Sequence, residues 1–122
     1  MATLAAALLA VAAPRVVAYR EHMALDSVAH ELARDLGRAR VEAIKRNEAV
    51  TLRRLADTAY QIRADPARRL PPGVKFNTAS TVDSVRFAAF GPVIIGAGAW
   101  NLTTAHSSRV VTVRASGQVG VQ

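Results

Sequence analysis

Hydrophobic and polar positions follow two different periods along this 122-residue chain. Through residues 19–48, apolar side chains recur every three or four positions, which is the spacing of one face of an α-helix. After residue 49 they alternate with polar side chains in short runs rich in Val, Thr and Phe, which is typical of strands. The pattern predicts an α+β fold, in which a long N-terminal helix over residues 1–48 packs on a C-terminal antiparallel β-sheet head over residues 49–122.

The amphipathic part of the helix, residues 19–48, has one clearly apolar face. The charged positions of this segment largely occupy the rest of the surface, where we expect them to be solvated. Among them, Glu31 and Asp35 are four residues apart and therefore repel each other. The helix face that we expect to pack on the head consists of Leu25, Val28, Leu32, Leu36, Ala39 and Ala43, with Ala29, Val41 and Ile44 widening it.

The opening segment, residues 1–18, carries no charge from Ala2 to Ala13. These twelve residues form a helix of about 18 Å, whereas the hydrocarbon core of a bilayer is about 30 Å thick. We interpret the segment as a membrane anchor whose beginning is missing. Two other readings stay open: a buried core helix, or a secretory signal peptide cleaved near Ala13, although no Lys or Arg precedes the apolar run. The residues expected to contact membrane or neighbouring helices are Leu4, Leu8, Leu9, Val11, Pro14, Val16 and Val17.

The head contains several predicted strands separated by Gly, Pro and Asp turns. A hairpin is predicted around Asp57-Thr58, and residues 91–98 read as an irregular loop with an apolar tip. Further strands are expected over residues 74–78, 85–90, 100–104, 110–115 and 119–121, with a turn at Ser116-Gly117. The side chains expected in the core are Phe87, Trp100, Val111 and Val113.

The net charge of +7 lies almost entirely on the head, where residues 49–122 hold nine basic and three acidic side chains. Such a surface attracts nucleic acid, acidic lipid or acidic protein without distinguishing among them. A solvated basic face is the simpler interpretation, because no aromatic side chains suited to stacking bases lie nearby. The candidate nucleic-acid contacts are Arg53, Arg54, Arg109 and Arg114.

Catalytic and metal-binding patterns are not evident in the sequence. There is no Cys, and the three His residues are not spaced like metal ligands. Gly96 to Asn101 lacks the third glycine of a dinucleotide fingerprint, and Ser107-Ser108 beside His106 lacks an oxyanion motif and a matching acid. We therefore expect no catalytic residue, no metal site and no cofactor.

Four stretches of the chain resemble the GspH/FimT-type minor pseudopilins. They are the apolar opening that ends at Pro14, the segment from Glu31 to Leu52, the Leu-Pro-Pro-Gly-Val run at 70–74 and the closing Val-Thr-Val-Arg-Ala-Ser-Gly-Gln-Val hairpin at 111–119. The segment from Leu32 to Leu52 is the most specific of these.

The resemblance implies a prepilin that is processed and methylated, and then serves as a structural subunit of a type II secretion pseudopilus or a type IV pilus. Such a protein is single-pass in the inner membrane, with its head in the periplasm. It helps filament initiation, tip assembly and protein secretion, and its partners are other pseudopilins or pilins, contacted through the N-terminal helix. No catalysis and no small-molecule substrate are implied.

Two features of the family pattern do not occur in these residues: the basic leader with its Gly-Phe-type peptidase site, and the glutamate that follows. A start codon placed too late or a trimmed chain would explain this. The alternative function is that of a DNA-binding minor pilin acting in DNA uptake. Relatives of that kind are implied to use basic residues near the terminal hairpin, whereas the turn here reads Ser116-Gly117-Gln118.

Overall fold

The computed structural model describes the backbone of residues 2–122 and the side chains of residues 19–122. One helix, α1, runs from Ala2 to Arg46. Its 45 residues correspond to a length of about 68 Å at 1.5 Å per residue. The predicted membrane or filament contacts from Leu4 to Val17 have side chains outside the described set. Within the described part of the chain, no helix combines the length and apolar character needed to cross a membrane.

The helix ends at Arg46, two residues earlier than the periodicity suggests, and is followed by a left-handed Asn47 with φ 53°. The amide of Asn47 donates to the carbonyl of Ile44 at 3.4 Å, and the amide of Glu48 donates to the carbonyl of Ala43 at 3.2 Å. This pair of bonds is a Schellman motif, which satisfies carbonyls that have no partner inside the helix. Asn tolerates the left-handed conformation better than most residues, so the chain can turn directly into the first strand.

Within residues 2–122, nine strands form two antiparallel sheets behind the helix. Their bounds are β1 Val50–Ala56, β2 Ala59–Ile62, β3 Arg68–Arg69, β4 Lys75–Phe76, β5 Ser84–Phe87, β6 Val93–Ile95, β7 Gly98–Thr103, β8 Ser108–Val113 and β9 Val119–Val121. The first sheet has the order β3-β2-β1-β5-β6, and the second has the order β4-β7-β8-β9. The α+β fold predicted from the sequence, with a long helix on an antiparallel head, is therefore the one observed.

Both predicted hairpins are present; the pairing of the last is regular, whereas that of the first has a register shift between Arg54 and Ala56. In the first, Leu52 lies opposite Ile62, and in the last, Val111 lies opposite Val121. One prediction was wrong in detail: residues 91–98 are not simply an irregular loop, because Val93–Ile95 pairs with β5 as an edge strand. The apolar run provides the β-branched residues that strands favour, and glycines at each end allow the sharp turns.

The core lies between α1 and the two sheets. Trp100, Phe76 and Phe87 are its largest buried side chains, and Phe76 packs edge-on against Trp100 with ring centroids 5.5 Å apart. Val111 and Val113 are buried in the same cluster, which also includes side chains of the helix. A head of this size has little interior of its own, so the helix supplies a substantial part of it.

Candidate interaction surfaces of the helix and head

The face of α1 that carries the regular apolar stripe is buried against the head. All six positions named from the periodicity are 0–6% exposed and belong to the common core cluster: Leu25, Val28, Leu32, Leu36, Ala39 and Ala43. Leu25 is the first buried side chain along the helix among residues 19–122, and Tyr19 and Met23 before it are exposed. Within residues 19–122, complete burial of helix side chains against the head therefore begins at Leu25, and Arg109 on β8 reaches back to His22 at 3.1 Å.

One flank of this buried face is closed by a polar cluster. The Tyr60 hydroxyl on β2 donates a hydrogen bond of 2.6 Å to Oδ2 of Asp35. Both side chains are almost entirely buried, at 2% and 4% exposure. Burial raises the pKa of Tyr60 well above its ordinary value, and the bond to Asp35 raises it further because it is donated by the neutral hydroxyl.

Arg68 on β3 completes the polar cluster. Its Nε lies 3.2 Å from Oδ2 of Asp35, and its Nη1 lies 3.3 Å from Oε1 of Glu31. One guanidinium therefore lies within ion-pair distance of two carboxylates that are a helical turn apart, and it neutralises the charge of one of them. The expectation of a solvated, mutually repelling Glu31 and Asp35 was wrong for Asp35, which is buried, and the cation between them offsets the repulsion.

A fifth residue of this flank, Arg38, reaches the loop between β2 and β3. Its Nη2 lies 3.6 Å from Oδ2 of Asp65, and both side chains are about half exposed. Solvent screens such a pair, so its contribution to stability is at most about 1 kcal/mol. Residues Glu31, Asp35, Arg38, Tyr60, Asp65 and Arg68 are called the polar flank below.

The opposite flank of the helix is open. A groove of about 820 Å³ runs between α1 and the terminal hairpin, and the helix side of it presents Ala33, Gly37, Arg40, Val41 and Ile44. The hairpin side is formed by Thr112, Arg114 and residues 117–122. Val41 and Ile44 are 47% and 49% exposed, so their apolar surface faces solvent across the groove. The prediction that these two side chains pack on the head was wrong, because the terminal hairpin leaves this flank of the helix uncovered. This region is called the open groove below.

Arg40 fixes one end of the open groove. Its Nε donates a hydrogen bond of 3.2 Å to the carbonyl of Gly91, in the turn between β5 and β6. Gly117, in the turn between β8 and β9, has φ 93°, and a Cβ built on it would lie 2.4 Å from the same carbonyl. No side chain fits there, so a glycine lets the turns of both sheets meet at Arg40.

The four arginines considered for nucleic acid are not gathered into one patch. Arg53 and Arg54 are neighbours on β1 and point to opposite faces of that strand. Arg109 is near the start of β8 and Arg114 follows its end, about 17 Å away at 3.3 Å per residue.

Two of these arginines already have acidic partners. Arg54 pairs with Asp83, and Arg109 Nε lies 2.7 Å from Oδ1 of Asp26 on the helix. Arg53 and Arg114 are exposed, and neither forms an ion pair within the described residues. Carboxylates already compensate half of the charge that this set would offer to a phosphate backbone.

An apolar surface also lies at the edge of the first sheet. Phe90 is 80% exposed, and Ile94 and Ile95 on β6 are more than half exposed. The apolar tip therefore does not tuck under the sheet. Phe90 adjoins Gly91, and a Cβ on Gly91 would lie 3.4 Å from Cδ1 of Ile44, so this surface borders the open groove.

Sequence reasoning found the buried helix face but neither of its flanks. The polar flank joins residues that are 25 to 37 positions apart, such as Tyr60 with Asp35 and Arg68 with Glu31. A buried Asp on a helix otherwise lined by solvated charges has no signature in the local pattern. The open groove depends on how the terminal hairpin is placed beside α1, which the periodicity of either element does not specify.

Solved structures of the type IV minor pilin FimU from Pseudomonas aeruginosa have the same fold. In one crystal form the TM-score is 0.64, with 80% of this chain and 92% of the pilin covered, and in another it is 0.68, with 85% and 92% covered. Sequence identity is 20% in both, so the likeness concerns the fold. No curated protein sequence matches the chain.

The family model described as the type II transport protein GspH matches residues 28–117. The match includes the buried helix face from Val28 onward, the polar flank and all of the head up to the turn before its last strand. Membership supports a structural, pilin-type role in type II secretion or in a type IV pilus. The resemblance seen in the sequence is thus confirmed, and the chain belongs to the GspH family.

Proposed function

We propose that this chain is a minor pseudopilin, a non-catalytic subunit that takes part in initiating or capping a pilus-like filament and thereby in protein export. Its helix packs with the helices of other pilins and is held in the inner membrane before assembly. The head faces the periplasm. The chain needs no cofactor and takes no small-molecule substrate.

The observation that carries the proposal is the length of α1 relative to the head. The helix begins at Ala2, whereas the first described side chain buried by the head is Leu25. Residues 2–24, or about 35 Å of helix, therefore precede Leu25 along the chain. Residues 2–13 of this stretch contain no charge, so they gain free energy by leaving water for lipid or for neighbouring helices.

Cysteine cross-linking in the native host tests the helix contact, because the chain contains no natural Cys. Leu8→Cys places a thiol in the apolar segment, and Ala105→Cys places one in an exposed turn of the head as the control. With cysteines introduced at apolar helix positions of the co-expressed pilins, we expect disulfide-linked heterodimers for Leu8→Cys only. A chain that stays monomeric and fractionates away from the envelope would contradict the proposal.

Deletion of the gene distinguishes the two assemblies. Loss of exported enzymes with normal piliation assigns the chain to type II secretion, whereas loss of surface pili assigns it to a type IV pilus. A few copies per filament are expected for an initiating or capping subunit, and quantitative immunoblotting of sheared filaments measures this. A stoichiometry equal to that of the major pilin would exclude the minor role.

The alternative remains that of a DNA-binding minor pilin for DNA uptake. Electrophoretic shift of duplex DNA by the full chain in mild detergent, at several salt concentrations, tests it. Binding through phosphate contacts weakens steeply with salt, and Arg53→Ala and Arg114→Ala would each reduce that dependence. The absence of any salt-sensitive shift eliminates this alternative.

A further inference from the structure

The last strand of the second sheet leaves an unpaired edge beside the open groove. Strand β9 pairs only with β8, at the end of the order β4-β7-β8-β9. Bonds join Gln122 to Val110 in both directions at 2.8 and 3.3 Å, and the Arg114 amide donates to Gln118 at 2.9 Å. Because bonded and non-bonded pairs alternate in antiparallel sheets, the backbone amides and carbonyls of Val119 and Val121 point away from β8.

These outward groups have no other partner in the described part of the chain. Among its backbone bonds between elements, none involves Val119 or Val121. An unpaired edge is a template for a further strand, which native proteins usually cover or block with charge, Pro or a bulge. The edge here carries only uncharged residues from Gln118 to Gln122, and Gly120 within it is exposed.

The groove beside this edge has the surface that an added strand needs. A strand bonded to β9 lies about 4.8 Å from it, over the helix wall of the groove. There it would meet the exposed apolar side chains of Val41 and Ile44. Alternate side chains of the added strand point to this wall and gain free energy by burial, while the others face solvent.

The positive charges of the groove favour an occupant with negative charge. Arg40 and Arg114 are the charged side chains that line it, and no carboxylate side chain lies among the lining residues. Neither arginine forms an ion pair among residues 19–122. A segment that carries Asp or Glu next to apolar residues is therefore favoured over a neutral or basic one.

From these observations we infer that the open groove binds an extended acidic segment of another protein, which pairs with β9 as a fifth strand of the second sheet. The segment alternates apolar residues, directed at Val41 and Ile44, with residues that include a carboxylate directed at Arg114 or Arg40. This surface lies between residues 33–44 of α1 and the terminal hairpin, apart from the apolar residues 4–17 that make the helical contacts of the proposed function. Binding at this groove would therefore still be observed if experiments excluded the proposed role in a filament.

Selection from a random library of displayed ten-residue peptides on the immobilised full chain tests the inference. We expect enrichment of sequences in which Val, Ile or Phe alternates with polar residues that include Asp or Glu. The best peptide is then titrated by fluorescence anisotropy against the full chain and its variants. Enrichment of basic or helical amphipathic sequences, or no enrichment at all, would overturn the inference.

Two protein variants separate the charge from the strand pairing. Arg114→Glu should weaken binding of the selected peptide about tenfold or more through like-charge repulsion. The matched control is Arg69→Glu, which changes an exposed arginine on the opposite edge of the other sheet and should leave the affinity unchanged. Val119→Pro removes an outward amide while sparing the bonds between β8 and β9, and should abolish binding.

A change made only in the peptide tests the strand pairing without altering the folding of the protein. N-methylation of every second amide blocks the hydrogen bonds of one strand edge, and methylation of the other set leaves them intact. We expect one methylated peptide to lose binding and the other to keep it. Equal affinities of the two peptides, or binding that is insensitive to both Arg114→Glu and Val119→Pro, would show that no strand is added at β9.

Discussion

The two flanks of α1 differ in how closely the head covers them. On the polar flank, a carboxylate, a hydroxyl and a guanidinium close the seam between helix and sheet, with Asp35 only 4% exposed. On the open groove, apolar side chains at Val41 and Ile44 remain about half exposed, and the nearest strand has an unpaired edge. The polar flank fixes the orientation of the helix on the head, which leaves the other flank free to present surface to a partner.

The buried face between the two flanks should dominate stability. Leu36→Ala removes a fully buried side chain and leaves a cavity, so we expect a loss of about 2–5 kcal/mol in the free energy of unfolding. Val41→Ala on the open groove is the control, with an expected change within about 0.5 kcal/mol. Urea denaturation of the full chain, monitored by Trp fluorescence, measures both changes. Equal losses for the two variants would contradict the difference in burial between the buried face and the open groove.

The polar flank should come next in size. Asp35→Ala leaves the Tyr60 hydroxyl buried without an acceptor and removes a charge-assisted partner of Arg68, with an expected cost of about 2–3 kcal/mol. Asp65→Ala removes a carboxylate of a half-exposed pair and should cost less than about 1 kcal/mol. If Asp35→Ala unfolds at the urea concentration of the unmutated chain, the polar flank does not hold the helix.

The buried hydroxyl also predicts a dependence on alkaline pH. The folded chain keeps the Tyr60 proton at a pH where the unfolded chain loses it, above the ordinary tyrosine pKa of about 10. The free energy of unfolding should therefore fall as the pH rises above that value.

A Tyr19→Phe background isolates this effect, because Tyr60 is then the only tyrosine of the chain. Phenolate absorbance should appear together with the loss of helical circular dichroism and not before it. Adding Tyr60→Phe should flatten the alkaline part of the stability profile. Phenolate absorbance that rises while the helix is intact would contradict the burial of this hydroxyl.

The smallest effect is expected at the groove charges. Arg114→Ala alters an exposed residue without an ion pair in the described chain, so the free energy of unfolding should change by no more than about 0.5 kcal/mol. Thermal denaturation at two salt concentrations checks this. A loss above about 1 kcal/mol would mean that Arg114 has a structural role, and the contrast between the flanks would be weaker.

Periodicity predicted the elements that are determined by residues close together in the sequence. The stripe from Leu25 to Ala43, the hairpin around Asp57-Thr58 and the turn at Ser116-Gly117 each follow from side chains adjacent along one face or one turn. Strand β3, which consists of Arg68–Arg69, has no apolar alternation and exists because β2 offers an edge to pair with. For a related reason the sequence predicts a loop where edge strand β6 lies, since the pairing of β6 with β5 is a tertiary contact.

The two flanks could not be predicted because each depends on residues far apart in the chain. Asp35 resembles the solvated acids beside it, and only the approach of Tyr60 and Arg68 makes its burial favourable. Arg40 likewise resembles its charged neighbours until the Gly91 carbonyl comes within 3.2 Å. Burial of a charged group is determined by its partners, and those are properties of the assembled fold.

The meeting of Gly91 and Gly117 at Arg40 has a practical consequence for engineering this head. Even alanine at position 117 would collide with a backbone oxygen, so the last hairpin would have to swing away from its neighbour. Ser116 and Gln118 on either side are exposed and tolerate replacement. An epitope tag or fluorophore attachment site near the carboxyl end should therefore be placed at Ser116 or Gln118, and Gly117 between them should be kept.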